Sequence, residues 1–327
     1  MQCTDVNSST FHWANLHRVA VAAIFLTTCF SVDSMAQQSG QKTFLSAEEA
    51  SNALVAATKN NDEKAMIEIL GRDGKQIVSS GDEAEDAQNR ANFVERYQEM
   101  HRLVTEPDRT TTLYIGPENW PTPIPLVSKG DSWYFDTDAA KKEILFRRIG
   151  QNEAAAISVC QELVAAQKEY YGIHDNEYAQ KFSSDEGQHN GLYWKPANGE
   201  AQSPIGPLVA SAVADDNGES QASSSTPYRG YYFRVLTRQK KTTSSGAKSY
   251  VVNGKMTGGF AFVAYPAEYR SSGVMTFIVN EDGVVYEKDL GKKTDVLARA
   301  MKEYDPSSNW QEADDQSLET ADARKTK

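Results

Sequence analysis

The sequence predicts an α+β protein: helices and a small curved sheet first, then a long helix packed on an antiparallel sheet. Three observations carry this. Apolar residues recur at helical spacing through residues 46–104 and again through 140–171. Between them and after them the period changes to short runs of β-branched and aromatic residues separated by Gly, Pro and Asn turn signals. The length, 327 residues, suits two ordinary cores.

Residues 1–36 read as a secretory signal peptide. Arg18 flanks the apolar run Val19–Ser31, and Ser34-Met35-Ala36 offers small residues at the cleavage positions. The run is shorter than the ~20 residues that cross a bilayer. Cleavage after Ala36 and a periplasmic or secreted location are therefore expected, with no stable membrane span afterwards. Cys3 and Cys29 would leave with the leader, so only Cys160 remains and no internal disulfide is expected. The net charge of −11, with no basic tract, argues against nucleic acid as a partner.

The first expected domain spans 43–149. Ser46-Ala47-Glu48-Glu49 is a capping box, and Ala50, Leu54 and Ala57 then share a helical face. A second helix starts near Asp62 and stops at Gly71. A third, after Gly81, carries Phe93, Tyr97, Met100 and Val104 at spacings of 4, 3 and 4. Thr111–Ile115, Pro123–Val127 and Ser132–Asp136 follow as strands. Three helices leading into a curved sheet resemble the cone-shaped arrangement of nuclear transport factor 2-like domains.

Thr137 or Asp138 is expected to cap a helix over Ala140–Ile149, with Gly150 interrupting it and Asn152 restarting it to Tyr171. Ile157, Cys160, Val164 and Tyr171 form its stripe, which makes Cys160 a small core residue rather than a reactive thiol. The second expected domain spans 150–304. In its loop, Gly191–Trp194 and Ser203–Leu208 are islands that pin the chain, whereas 215–226 is rich in Ser, Asp and Gly and is expected to be mobile. The sheet follows: Tyr231–Leu236, Tyr250–Val252 up to the turn Asn253-Gly254, Gly259–Tyr265, then Val274–Asn280 and Val284–Leu290 around Glu281-Asp282-Gly283. Thr294–Tyr304 reads as a closing helix, and 305–327 as a polar tail in which Trp310 docks.

Many separated blocks occur in a recognisable order: SSGD (79–82), WPTPIPLV (120–127), WYFDT (133–137), RRIGQNE (147–153), GLYW (191–194), SPIGPL (203–208), GYYFRVL (230–236), GGFAFVAYPAEY (258–269) and SGVMTFIVNEDGVVY (272–286). Together they resemble the DUF2950 family, exported bacterial proteins with no assigned activity. From Asn152 onward, the order of the NEAAAI helix, the GYYF strand and the closing hairpin is similar to the head of type IV pilins and pseudopilins. That resemblance implies a helix packed on an antiparallel sheet, here without the long apolar stem of the pilins.

Candidate chemistry is sparse. His101, His174 and His189 lack the spacing of metal ligands, so neither a metal nor a cofactor is expected. Ser183, Asp185 and His189 hold the letters of a catalytic triad, but inside one polar loop with no strand-to-helix elbow. Arg147, Arg148 and Glu153 stand at the joint between the domains, where a cleft would bind carboxylates; the alternative is that they tie the helix to the sheet. Glu268 and Tyr269 are placed to line a pocket at the sheet end or to satisfy a turn. Tyr193 and Trp194 suit ligand stacking or loop anchoring. The reading that follows is a non-catalytic binding or assembly module of the cell envelope, meeting a protein partner through the C-terminal sheet. The alternative is a hydrolase or small-ligand enzyme with its site at the inter-domain joint.

Overall fold

The structure, a computed structural model, describes residues 37–196, 202–212, 226–241, 246–307 and 309–313. The expected leader, nearly all of the loop at 215–226 and the end of the expected tail lie outside the described residues. The chain is α+β. Helices α1 (Ala47–Lys59), α2 (Glu63–Leu70), α3 (Lys75–Val78) and α4 (Glu83–Glu99) come first. Ser46 caps α1 by accepting from the Glu49 amide, but the Glu49 carboxylate reaches past the cap residue to the amide of Leu45. Asp62 caps α2 through the Ala65 amide, and Gly71, at φ 83°, turns the chain away from it.

Helix α4, which carries the expected Phe93–Val104 stripe, ends earlier than that stripe suggests. Met100 is extended, and His101–Thr105 forms a strand, β1, that carries Val104. Strands β2 (Thr111–Ile115), β3 (Trp120–Pro121), β4 (Leu126–Lys129) and β5 (Ser132–Phe135) complete an antiparallel sheet ordered β1-β2-β4-β5, with β3 on β2. Leu54, Met66, Leu70, Leu126, Phe135 and Ala140 make the core between this sheet and α1–α2.

Helix α5 runs unbroken from Thr137 to Ile173, 37 residues capped by Asp136 through the Ala139 amide. Gly150 therefore does not interrupt it. A glycine costs a helix about 1 kcal/mol relative to alanine, too little to stop one that is held on both sides of that position. Asn152 is likewise an interior residue, not a second cap. Ile157, Cys160 and Val164 do face the core, but the buried tyrosine near the end is Tyr170 rather than Tyr171.

Helix α6 (Pro207–Ser211) precedes the main sheet. Its strands are β6 (Tyr231–Leu236), then, after two short pairs, β11 (Ala261–Pro266), β12 (Met275–Asn280) and β13 (Val285–Asp289). The short pieces between are β7 (Arg238–Gln239), β8 (Lys248–Ser249), β9 (Val251–Val252) and β10 (Lys255–Met256). Asn253 and Gly254, both at positive φ, turn β9 into β10. Helix α7 covers only Thr294–Ala300, and the rest of the expected closing helix is extended. β14 (Glu303–Tyr304) pairs in parallel with β7, and β15 (Gln311–Glu312) pairs with β13. The order of the main sheet is thus β15-β13-β12-β11-β6. The polar segment after Asp305 begins as structure: Trp310 packs on the core, and the Ala313 amide donates to Val285.

Cys160 lies fully buried between α5 and this sheet, and burial pushes its thiol up to about 12. It is expected to react with bulky thiol reagents only as fast as the protein unfolds, and Cys160→Ser should cost about 1–3 kcal/mol through a hydroxyl buried without an assured acceptor. Labelling kinetics and urea midpoints check both; rapid native labelling would contradict the burial.

Candidate functional site

The joint residues do converge, on α5, where it passes between the two sheets. Arg147 donates through Nε to Glu143 at 2.7 Å and through Nη1 to the Pro121 carbonyl at 2.8 Å, with its guanidinium over the Trp120 ring. One residue on, Arg148 points the other way and donates to the Ser271 carbonyl at 3.2 Å. The Asn152 amide donates to Ser272 at 2.8 Å. Glu153 Oε1 accepts from the backbone amides of Val274 at 2.8 Å and Met275 at 3.0 Å. About two turns of α5 thus grip the first sheet with one arginine and the 271–275 turn with its neighbours. The turn is close to the main sheet as well: a Cβ on Gly273 would meet the Tyr231 hydroxyl and ring at 2.2–2.7 Å, and that hydroxyl donates to Met275. Burial raises the Tyr231 pKa, with the Glu153 charge adding to it.

Of the remaining candidates, Glu268 and Tyr269 belong to the turn that the clasp holds, whereas Tyr193 and Trp194 lie in a different loop. The Glu268 backbone is tied to Ser272 in a turn, and Tyr269 donates to Asp289 at 3.0 Å beneath Arg270. Trp194 is buried, stacked on His189 at 4.5 Å, while the Tyr193 backbone exchanges hydrogen bonds with Phe182 and Ser184. These aromatics anchor their loop. In the same loop Asp185 accepts from Asn190 and pairs with Lys181 at 2.5 Å, and the Lys181 contact leads in lowering its pKa. Among the described residues no three His, Cys, Asp or Glu side chains come together as a metal set, and no helix is long and apolar enough to cross a membrane.

Two concavities escaped the sequence reading. In the first layer, Leu54, Met66, Leu70, Ile77, Phe93 and Ile124 line an apolar pocket of about 190 Å³ whose rim includes Asp86 and Arg90. The Ser80 amide donates to both Asp86 oxygens at 3.0 and 3.1 Å. That amide, with the Ser80 and Ser79 hydroxyls and the Arg90 charge, holds the Asp86 carboxyl below the usual range, although burial opposes it. A depressed folded-state pKa adds stability that is complete above the unfolded value of about 3.9 and is lost as pH falls through the folded one. Asp86→Asn is therefore expected to flatten the decline of melting temperature below about pH 4. Parallel declines in the two proteins would show that this carboxylate does not contribute.

The second concavity is a groove of about 540 Å³ on the C-terminal half, lined by Arg238, Lys240, Lys288, Met301, Lys302 and Trp310 together with Glu303 and Asp305. Its cations lie far apart in sequence, so no local run of basic residues announces them. Only Trp310, a large aromatic in an otherwise polar tail, gave a signal.

These features define an α+β protein in which two antiparallel sheets are joined by one long helix and locked to it by a polar clasp. The chain belongs to the DUF2950 family, described as a protein of unknown function, whose match covers residues 41–313. No curated protein and no solved structure matches it.

Proposed function

We propose that the chain is an exported binding module of the cell envelope, which holds another envelope component through its C-terminal half and does not turn over a substrate. The observation that carries this is the use made of the joint. Arg147, Arg148 and Glu153, the groups best placed for chemistry, are spent on backbone and neighbouring side chains. A carboxylate whose oxygen accepts from two backbone amides is held in place, which suits a clasp better than proton transfer. Export rests on the apolar run Val19–Ser31 ahead of Ser34-Met35-Ala36.

Within the C-terminal sheet, the β13 edge is already taken, because β15 pairs with it at Tyr286 and Glu287. The β9–β10 hairpin is a better contact: Val252 is 46% exposed near its tip, and Lys255 leaves it toward Glu177. A photo-crosslinker at Val252, introduced in the native envelope, is expected to trap one discrete protein, and the mature chain is expected to begin at Gln37. If no adduct forms there, and a folded Glu153→Gln variant instead loses a measurable hydrolytic or transfer activity, the enzyme reading replaces this one.

A further inference from the structure

We propose that the groove beside Trp310 binds a small ligand carrying at least two anionic groups on a ring-bearing body. This goes beyond the docking of a protein partner and stands independently of it, since it concerns a different surface and a different class of molecule.

The argument starts from charge. The chain as a whole is strongly acidic, with a net charge of −11. The groove inverts this locally: Arg238, Lys240, Lys288 and Lys302 outnumber Glu303 and Asp305 by two among its lining residues. The two carboxylates occupy one wall in pairs that run from strand to strand, Arg238 with Glu303 at 3.8 Å and Lys240 with Asp305 at 3.0 Å. They hold the Arg238 and Lys240 side chains along that wall.

A further charge is hydrogen-bonded to the backbone of the lining. Arg234 is only 4% exposed, and its Nη1 donates to the carbonyls of Ala298 at 2.7 Å, Arg299 at 2.8 Å and Met301 at 3.2 Å. Met301 is itself part of the lining. A guanidinium fixed in a poorly screened interior projects its field into the adjacent concavity more effectively than a surface lysine does. The positive potential of the groove is thus partly built into the core.

Shape and aromatic character narrow the ligand. The volume, about 540 Å³, falls within the range of ~300–1,000 Å³ usual for small-molecule sites. Trp310 supplies a flat wall, and the Lys288 ammonium lies over part of its ring, 5.9 Å from the centre. Cations beside an indole face favour a molecule that presents anionic groups at its edge and a ring to the tryptophan. An acidic sugar and a phosphorylated nucleoside both have that chemistry.

Isothermal calorimetry on the purified full chain tests the assignment, with digalacturonate and adenosine diphosphate as probes and the dimethyl ester of digalacturonate as the uncharged control. At least one charged probe is expected to bind with a Kd below about 1 mM and to weaken as salt is raised. Which of them binds distinguishes sugar acid from phosphate as the source. Lys288→Gln combined with Lys302→Gln should weaken binding about tenfold or more, and Trp310→Ala should weaken it without removing the salt dependence. Lys64→Gln, an exposed change on α2, should leave binding unaltered. Circular dichroism melts of each variant establish that the fold is kept. The proposal is overturned if neither charged probe binds, if the ester binds as well as the acid, or if Lys64→Gln weakens binding as much as the groove variants do.

Discussion

Arg234→Met is expected to destabilise the protein by about 2–5 kcal/mol, although the residue is a single charged side chain in a strand. Helix α7 is only seven residues long and cannot sustain itself in isolation. Its last carbonyls are satisfied by the Arg234 guanidinium, which reaches them from β6 and places positive charge at the negative end of the helix. Met keeps most of the apolar stem and removes the donors, so the loss reports on the carbonyls rather than on packing. α7 also carries Ala298 against Tyr265, whose hydroxyl burial pushes up to about 12. Release of the helix would open that contact as well. Arg299→Ala, on the more exposed side of the same helix and paired with Asp295 at 2.6 Å, serves as the control and should cost less than about 1 kcal/mol. Equal urea midpoints for the two variants would refute the capping role.

The clasp gives the second large effect. Glu153→Ala leaves the amides of Val274 and Met275 without their acceptor, and about 2–4 kcal/mol should be lost. Glu153→Gln retains an oxygen in the same place and should cost roughly 1 kcal/mol, the difference between a charged and a neutral acceptor. Hydrogen exchange localises the change: the amides at 274 and 275 should lose protection in the alanine variant, while those of β6 and β11 keep theirs. Uniform loss across the sheet would mean that the turn is an integral part of the core rather than a separately held element. The turn has little slack, because the Tyr231 ring leaves no room for a Cβ on Gly273.

The features legible in the sequence were those fixed by local pattern. Tyr231–Leu236 and Thr111–Ile115 are strands with the expected ends, because β-branched and aromatic residues there are bounded by turn formers. Asn253-Gly254 declared its turn for the same reason. The errors have physical causes too. Met100 and Val104 extended a helical period into β1, because residues four apart also lie on one face of a strand. Gly150 looked like a break, since propensity ignores what holds a helix from outside. β14 and β15, two residues each, exist only through their partners β7 and β13 and have no pattern of their own. At the site, Arg147, Arg148 and Glu153 were found by charge at a boundary. Their targets, backbone groups of Pro121, Ser271, Val274 and Met275, leave no trace in side-chain identity. The groove beside Trp310 was hidden because it is assembled from three separate stretches of the chain.

The unbroken α5 has a consequence for how the protein melts. At 1.5 Å per residue its 37 residues span about 55 Å, and the helix contributes Ala140 to one core and Ala156 through Tyr170 to the other. If either core opened alone, it would strand half a helix in water, where such a length is only marginally helical. The free energy of each half is therefore coupled through the helix to that of the other. A single calorimetric transition, with its van't Hoff enthalpy close to the measured heat, is the expected signature. A helix-breaking Gly150→Pro should divide it into two.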